Sequence, residues 1–352
     1  LPNLKIKAHE RFYLLPWCFD IGGLCKIKAA TSMSVRDIKI IFMGTPEFAL
    51  PSLQKLCDSG AQIVAVVTGM DKPAGRGLHI IETPVKRFAI RRSIPLLQPE
   101  KLNDPAFITA LQELRADLFL VVAFRILPRE VFMFPPRGTI NLHAALLPRY
   151  RGAAPIQWAI MNGEAETGVT TFFIDEKMDN GEMLLQERVA IGENETAGEL
   201  HDRLAVIGAE LLVQTVTQLA EGRLHSRPQQ GEITLAPKIK KEMAELDWSK
   251  PASVLRNWIR GLNPAPGAHT HWHGKLLKIF ASEVREHASK EFLPGQVCRV
   301  DAQHGELWIQ TGKDALALRE LQLEGKRRMS AGEFLPGHQV VLNDRFESFR
   351  VI

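Results

Sequence analysis

The sequence predicts an α/β protein, with a Rossmann-like domain built on a mostly parallel sheet followed by a small OB-like β-barrel. Three observations carry this expectation. Continuous apolar runs at residues 38–43 and 117–124 are the mark of strands buried on both faces, as in a parallel sheet. Strand and helix patterns then alternate up to about residue 221, the order of a doubly wound sheet. After residue 268 the pattern changes to short alternating runs parted by Gly turns, which read as a small barrel. At 352 residues the chain is too long for one ordinary core, so two domains are expected.

The elements follow in order. Residues 1–35 are expected to form a poorly ordered extension. FYLLPWCFDIGGLC is apolar, but Pro16 and Asp20 interrupt it, no A-x-A cleavage site follows, and a single Arg speaks against a transit peptide. Residues 36–222 would be the first domain. It opens on a strand at 38–43, a turn at Gly44-Thr45-Pro46, a helix to about Ser59 closed by Gly60, and a strand at 62–68. Residues 69–79 (GMDKPAGRGLH) are too rich in Gly and Pro to be regular. A helix from Thr83, a short strand at 94–97, a helix from near Asp104 and a strand at 117–124 come next. Then a strand at 139–142 leads to a helix at 153–161 and strands at 167–175 and 183–191. A long helix, 196 to about 221, carries Leu200, Leu204, Ile207, Leu211 and Leu212 at helical spacing. Residues 223–241, polar and turn-rich, read as a linker. The barrel domain would be 242–352, with one helix at 251–260 before LLKIF, GQVCRV, GELWIQT and ALALREL.

Composition narrows the function classes. The chain is 45% hydrophobic and 24% charged, and its apolar runs fall short of the roughly 18 residues that span a bilayer. The net charge of +4 is uneven: +3 over residues 1–33, −3 over 34–237 and +4 over 238–352. A basic back half fits a polyanionic partner, although so small an imbalance does not decide the point. Cys18, Cys25, Cys57 and Cys298 form no CxxC pair, so neither a zinc site nor a disulfide framework is expected, and a reducing compartment is the simplest reading. After the first strand the chain reads GTPEFA. With neither GxGxxG nor GxxxxGK[ST] present, a dinucleotide or P-loop phosphate site is disfavoured.

The stretch 138–155, GTINLHAALLPRYRGAAP, puts polar residues at a strand end before a Pro/Gly loop and a helix start, where an open α/β sheet holds its ligand crevice. Asn141 and His143 lie two apart and so face one side. An Asn N–H and a charged His could together stabilise a developing oxyanion. An isolated His at a strand end is more often only hydrogen-bonded. Asp179, in the turn MDNGE, could reach His143, orient its ring and favour the imidazolium, though DNG alone is also a plain turn motif. Lys72, Arg76 and His79 sit on the glycine-rich loop and could reach a phosphate or an RNA, or simply be solvated. Lys238, Lys240, Lys241 and Lys326-Arg327-Arg328 could line a basic groove for RNA on the barrel. Trp248, Trp258, Trp272 and Trp308 are expected in core or interdomain packing.

At NLHAALLPRYRGAAP the chain resembles the methionyl-tRNA formyltransferase family, whose pattern here is N-x-H-x-S-L-L-P-x-x-R-G-A-A-P. IKIIFMGTPEFALPSL, DKPAGRG, MDNGEML, APKIKKEMAELDW and IRGLNPAPGA resemble further family motifs in the right order, so the resemblance covers nearly everything from Ile38 on. It implies that Asn141, His143 and Asp179 are the catalytic trio. It also implies that Ala145, Leu146, Leu147 and Pro148 contact the folate, and that Arg76 with Lys72 holds the tRNA. The implied donor is 10-formyltetrahydrofolate and the implied acceptor the α-amine of initiator methionyl-tRNA. No metal and no membrane are implied, and a cytoplasmic monomer is expected. Three departures stand out: Ala145 where the family has Ser, Glu182 where it has Asp, and Ala123-Phe124-Arg125 in place of A-Y-G-L. Residues 1–33 have no counterpart in the family pattern. Another folate-dependent formyltransferase, such as one acting on a sugar nucleotide, is the alternative.

Overall fold

The computed structural model describes residues 34–74, 79–286 and 291–348. All but the last two residues of the expected N-terminal extension lie outside this range, and so does Arg76. The Rossmann-like part runs β1 (Lys39–Gly44), α1 (Leu50–Asp58), β2 (Gln62–Val67), β3 (Lys72–Ala74), β4 (His79–Ile81), α2 (Pro84–Arg91), β5 (Leu96–Leu97), α3 (Pro105–Leu114), β6 (Leu118–Val122), α4 (Arg129–Phe132), β7 (Thr139–His143), α5 (Pro155–Met161), β8 (Glu166–Phe173), β9 (Met183–Ala190) and α6 (Ala197–Ala220). Three of these helices begin where a small polar side chain caps them. Thr83 accepts from Lys86 N, Asp104 from Ala106 N, and Thr196 forms a reciprocal box with Glu199.

The first sheet has the order β5-β2-β1-β6-β7-β8-β9. Neighbours from β5 to β7 are parallel, and β8 and β9 run antiparallel. Only residues 174–182 join β8 to β9, too few for a parallel crossover. Alternation along the strands feeds two cores, one on each face. Ile40, Phe42, Leu120 and Ile140 pack with Leu53, Phe88, Leu204 and Leu212 of the helices on one side. Ile41, Met43, Phe119 and Val121 pack with Phe107, Leu111 and Phe132 on the other. Each such fully buried side chain contributes roughly 1.5–3 kcal/mol.

Residues 69–79 differ from the irregular loop expected. β3 and β4 pair antiparallel, Lys72 opposite Ile81 and Ala74 opposite His79.

The barrel follows α7 (Ala252–Gly261). Strands β10 (Ala268–Trp272), β11 (Lys275–Arg285), β12 (Val297–Asp301), β13 (Glu306–Gln310), β14 (Ala315–Leu323), β15 (Met329–Ser330) and β16 (Phe346–Glu347), with α8 (Ala331–Phe334) before the last, form an antiparallel sheet of order β12-β13-β14-β11-β10-β16. Its two ends meet: Gln296 bridges Arg345, and Val297 N donates to Asp344 O at 2.8 Å. Trp248 and Trp272 are buried in this core, as expected, and Trp258 packs against its edge.

The two parts are laced together. Met161 of α5 belongs to the barrel core, Trp158 meets Trp258 edge-on at 6.4 Å, and Arg260 Nη1 donates to Gly192 O and Glu195 O at 3.2 and 3.3 Å. The stretch expected as a linker, 223–241, is no free tether. Arg227 bridges Met183 of β9, Leu235 bridges Arg151, and Pro237 O accepts from Trp158 Nε1 at 2.8 Å. A polar composition reads as a solvated connector, but here it supplies backbone and amide groups that bond to the Rossmann-like part.

α6 crosses behind β7 at Gly208, where an added Cβ would lie 2.8 Å from Leu142 Cδ2. Gly208→Leu is therefore expected to overpack this contact and cost about 1–3 kcal/mol. The check is the denaturant midpoint at unchanged m-value; a midpoint equal to wild type contradicts the packing described.

Candidate active site

β1, β6 and β7 are parallel, so their C-terminal ends share one edge of the sheet. An open crevice of about 700 Å³ lies there. Pro46 and Phe48 line it after β1, Phe124, Ile126 and Leu127 after β6, and Asn141 and His143 at the end of β7. The loop after β8 doubles back to add Asp175 and residues 176–179.

His143 is the last residue of β7 and is 6% exposed. Its Nε2 lies 2.8 Å from Tyr150 O. A carbonyl only accepts, so Nε2 carries the hydrogen. Nδ1 is thereby left towards Asp179, whose Oδ2 is 3.8 Å away. That is too long for a direct hydrogen bond, and the contact is an ion pair only when the ring is protonated. The Asp179 carboxylate is instead anchored by Gly152 N, which donates to Oδ2 at 2.8 Å. Asn141 stands two residues before His143 and lines the same crevice. The three side chains expected to act together are brought together.

The loop that holds them is tightly determined. Tyr150 has φ +59 and Asp179 φ +50, left-handed conformations in which Asp is among the more tolerant residues. A Cβ on Gly181 would lie 1.7 Å from Phe173 O, so only glycine closes the turn. Tyr150 OH donates to Glu164 Oε1 at 2.5 Å and accepts from Asn162 Nδ2 at 3.2 Å. Burial, reinforced by Glu164, pushes its pKa up to about 12. Arg149 pairs with the same carboxylate. Arg151 donates to Asn180 Oδ1 at 2.9 Å and to Gln229 Oε1 through Nη2 at 2.6 Å. The roles of the Tyr150 carbonyl, the Gly152 amide and Gln229 were not legible in the sequence; RYRG marked the loop, but Gln229 carries no local signal.

Ala145, Leu146, Leu147 and Pro148 do not line the crevice. Ala145 is fully buried against Tyr150, Ala159 and Ala236, and its carbonyl accepts from Thr170 Oγ1 at 2.7 Å. Leu147 packs behind Phe172, which does line the crevice. The family's Ser is thus replaced at a position packed among apolar side chains. Glu182 is bonded to Ser226. Lys72 opens the β3–β4 ribbon, and Arg76 lies outside the described residues.

Comparison with known proteins decides the family. A formyl transferase model matches residues 38–216, and a model of the formyl transferase C-terminal domain matches 238–339. The chain is 47% identical to the methionyl-tRNA formyltransferase of Caldanaerobacter subterraneus subsp. tengcongensis over 306 residues, 86% of this chain and 98% of that one. It is 48% identical to that of Pelotomaculum thermopropionicum over 301 residues, 85% and 96% of the two chains. The chain belongs to the methionyl-tRNA formyltransferase family. More distant solved structures share the fold. HypX from Aquifex aeolicus, in complex with tetrahydrofolic acid, is 17% identical with a TM-score of 0.57, covering 85% of this chain and 47% of its own length. WlaRD, a sugar 3N-formyl transferase solved with dTDP and 5-N-formyl-THF, is 19% identical with a TM-score of 0.58, covering 82% and 99%.

For a methionyl-tRNA formyltransferase relative with this loop, two outcomes are expected. Gly181→Ala forces the Asp179 turn open and lowers turnover at least tenfold while the global fold persists, measured by initial rates beside circular dichroism; full turnover contradicts the turn geometry. The Tyr150 phenol gives a pH signature. Below its ordinary value of 10.0 both folded and unfolded chains hold the proton. Between 10 and about 12 the unfolded chain releases it first, so unfolding is favoured and stability falls as pH rises. Denaturation midpoints of wild type should therefore drop relative to Tyr150→Phe across this window, and parallel curves contradict it.

Proposed function

We propose that this chain transfers the formyl group of 10-formyltetrahydrofolate to the α-amine of methionine on initiator methionyl-tRNA, in the cytoplasm, to supply translation initiation. The observation that carries the reading is the convergence of Asn141, His143 and Asp179 on one crevice at the C-terminal edge of the parallel strands.

The neutral amine attacks the formyl carbon, forming the new N–C bond. The carbonyl electron pair moves onto oxygen, and the bond from carbon to the folate nitrogen then breaks. The proton lost by the amine is delivered to that departing nitrogen. Asn141 donates to the developing oxyanion, and His143, when charged, stabilises it electrostatically. Asp179, anchored by Gly152 N, keeps the imidazole placed. Phe124, Ile126 and Leu127 offer an apolar lining for the flat folate ring, with residues 145–148 as the further folate contacts that the family resemblance implies. Lys72 and Arg76 are the residues that the family resemblance assigns to the tRNA, and exposed Lys238 and Lys240 beside the barrel add phosphate contacts. The 47% identity over 98% of a curated relative favours this acceptor over a sugar nucleotide.

The direct test is formyl transfer from 10-formyltetrahydrofolate to charged initiator tRNA. His143→Ala is expected to lower the rate on the order of 10²–10³-fold; equal rates in mutant and wild type refute the mechanism. Tightness of tRNA binding should fall steeply with salt, with a slope reduced by about one on Lys240→Ala. An affinity insensitive to salt contradicts the phosphate contacts.

A further inference from the structure

We infer that Gln229, on the segment joining the barrel to the Rossmann-like part, is a positioning residue that holds the Asp179 turn for catalysis. The inference rests on the formyl-transfer reading and deepens it. Most of residues 222–238 are exposed, yet the Gln229 side chain turns inward and both ends of its amide are used. Nε2 donates to Asp179 O and to Gly181 O, each at 2.9 Å. Oε1 accepts from Arg151 Nε at 3.1 Å and Nη2 at 2.6 Å. Arg151 Nη1 then reaches Asn180 Oδ1 at 2.9 Å, and Asn180 Nδ2 donates to Asp175 Oδ2 at 2.9 Å.

The chemistry of this arrangement selects an amide. Two backbone carbonyls need a donor and a guanidinium needs an acceptor, and no other uncharged side chain of this length offers both on one planar group. A carboxylate would serve Arg151 and leave the two carbonyls facing an acceptor. The turn it grips belongs to no helix or strand, and it contains Asp179 in a left-handed conformation. Outside the turn itself, the position of the carboxylate therefore depends on Gly152 N, on Gln229 and on the Arg151 that Gln229 holds. The same segment supplies Thr234, whose Oγ1 accepts from Tyr150 N at 2.9 Å, and Ala236, whose N donates to Arg151 O at 2.7 Å. It thus grips both sides of the catalytic pair: the turn bearing Asp179 and the loop whose carbonyl holds His143.

The experiment compares full-length wild type, Gln229→Ala, Asp179→Asn and the double variant in formyl transfer to initiator methionyl-tRNA, with melting curves for each. Gln229→Ala should lower kcat about ten- to a hundredfold, with KM for tRNA and for the formyl donor within about twofold of wild type. In the Asp179→Asn background the same change should cost less than about twofold, because its effect runs through the Asp179 carboxylate. A wild type that transfers no formyl group overturns the proposed function and this role with it. An active wild type with Gln229→Ala at full kcat, or losses that multiply in the double variant, overturns the positioning role alone. Should Gln229→Ala fail to fold, Gln229→Glu keeps the Arg151 contact and loses the two donated bonds. Its kcat should then fall to the same degree, and a wild-type kcat in that variant overturns the inference.

Discussion

The bond from His143 Nε2 to the Tyr150 carbonyl, 2.8 Å long, is the constraint on which the rest of the site depends. It settles which ring nitrogen carries hydrogen and which faces Asp179. It also requires Tyr150 to hold a left-handed backbone, which is maintained by burial of its ring against Ala145 and Ala236 and by its bond to Glu164. Without that loop conformation the carbonyl would not meet the imidazole, and the carboxylate anchored on Gly152 would move with it. A buried imidazole 3.8 Å from a carboxylate is useful only if neither can drift, because its effect on a transition state falls off steeply with misplacement.

The architecture explains how a loop can be held so firmly. The crevice lies at the C-terminal edge of three parallel strands, each buried on both faces, so its floor is rigid. The barrel is docked through Met161, Trp158 and the buried guanidinium of Arg260, whose pKa is lowered by burial and which binds carbonyls of the segment before α6. The connector between the two parts is fastened along its length to the catalytic loop. Barrel, connector and site therefore behave as one mechanical unit, which suits an enzyme whose large substrate is to be held at a distance from the reacting atoms.

Much of this was legible in the sequence, and the exceptions have a common cause. The buried strands at 39–44 and 118–122, the capped helix from Thr196 and the alternating barrel strands follow from period and capping, which are local properties. Asn141 and His143 were readable as a pair because they are two apart on a strand. Asp179 was readable because its turn motif is short-range. Gln229 was not, since its partners lie 48 to 78 positions away and a glutamine in a polar stretch has no distinguishing pattern. Residues 145–148 were expected at the folate by resemblance, and they are not among the residues that line the crevice. Proximity in sequence to His143 does not say on which side of a reversing chain a residue falls. The β3–β4 ribbon was missed because Gly and Pro content marks loops and edge hairpins alike.

The most direct measurement of the central claim is the ¹⁵N NMR state of the His143 ring in the full-length protein, assigned with a His143→Gln control. At neutral pH, Nε2 should show the shift of a protonated, pyrrole-type nitrogen, with a hydrogen-bond coupling to the Tyr150 carbonyl. A pyridine-type Nε2, with the hydrogen confined to Nδ1, would contradict the account, because the imidazole would then be presented to Asp179 and the crevice by the opposite arrangement.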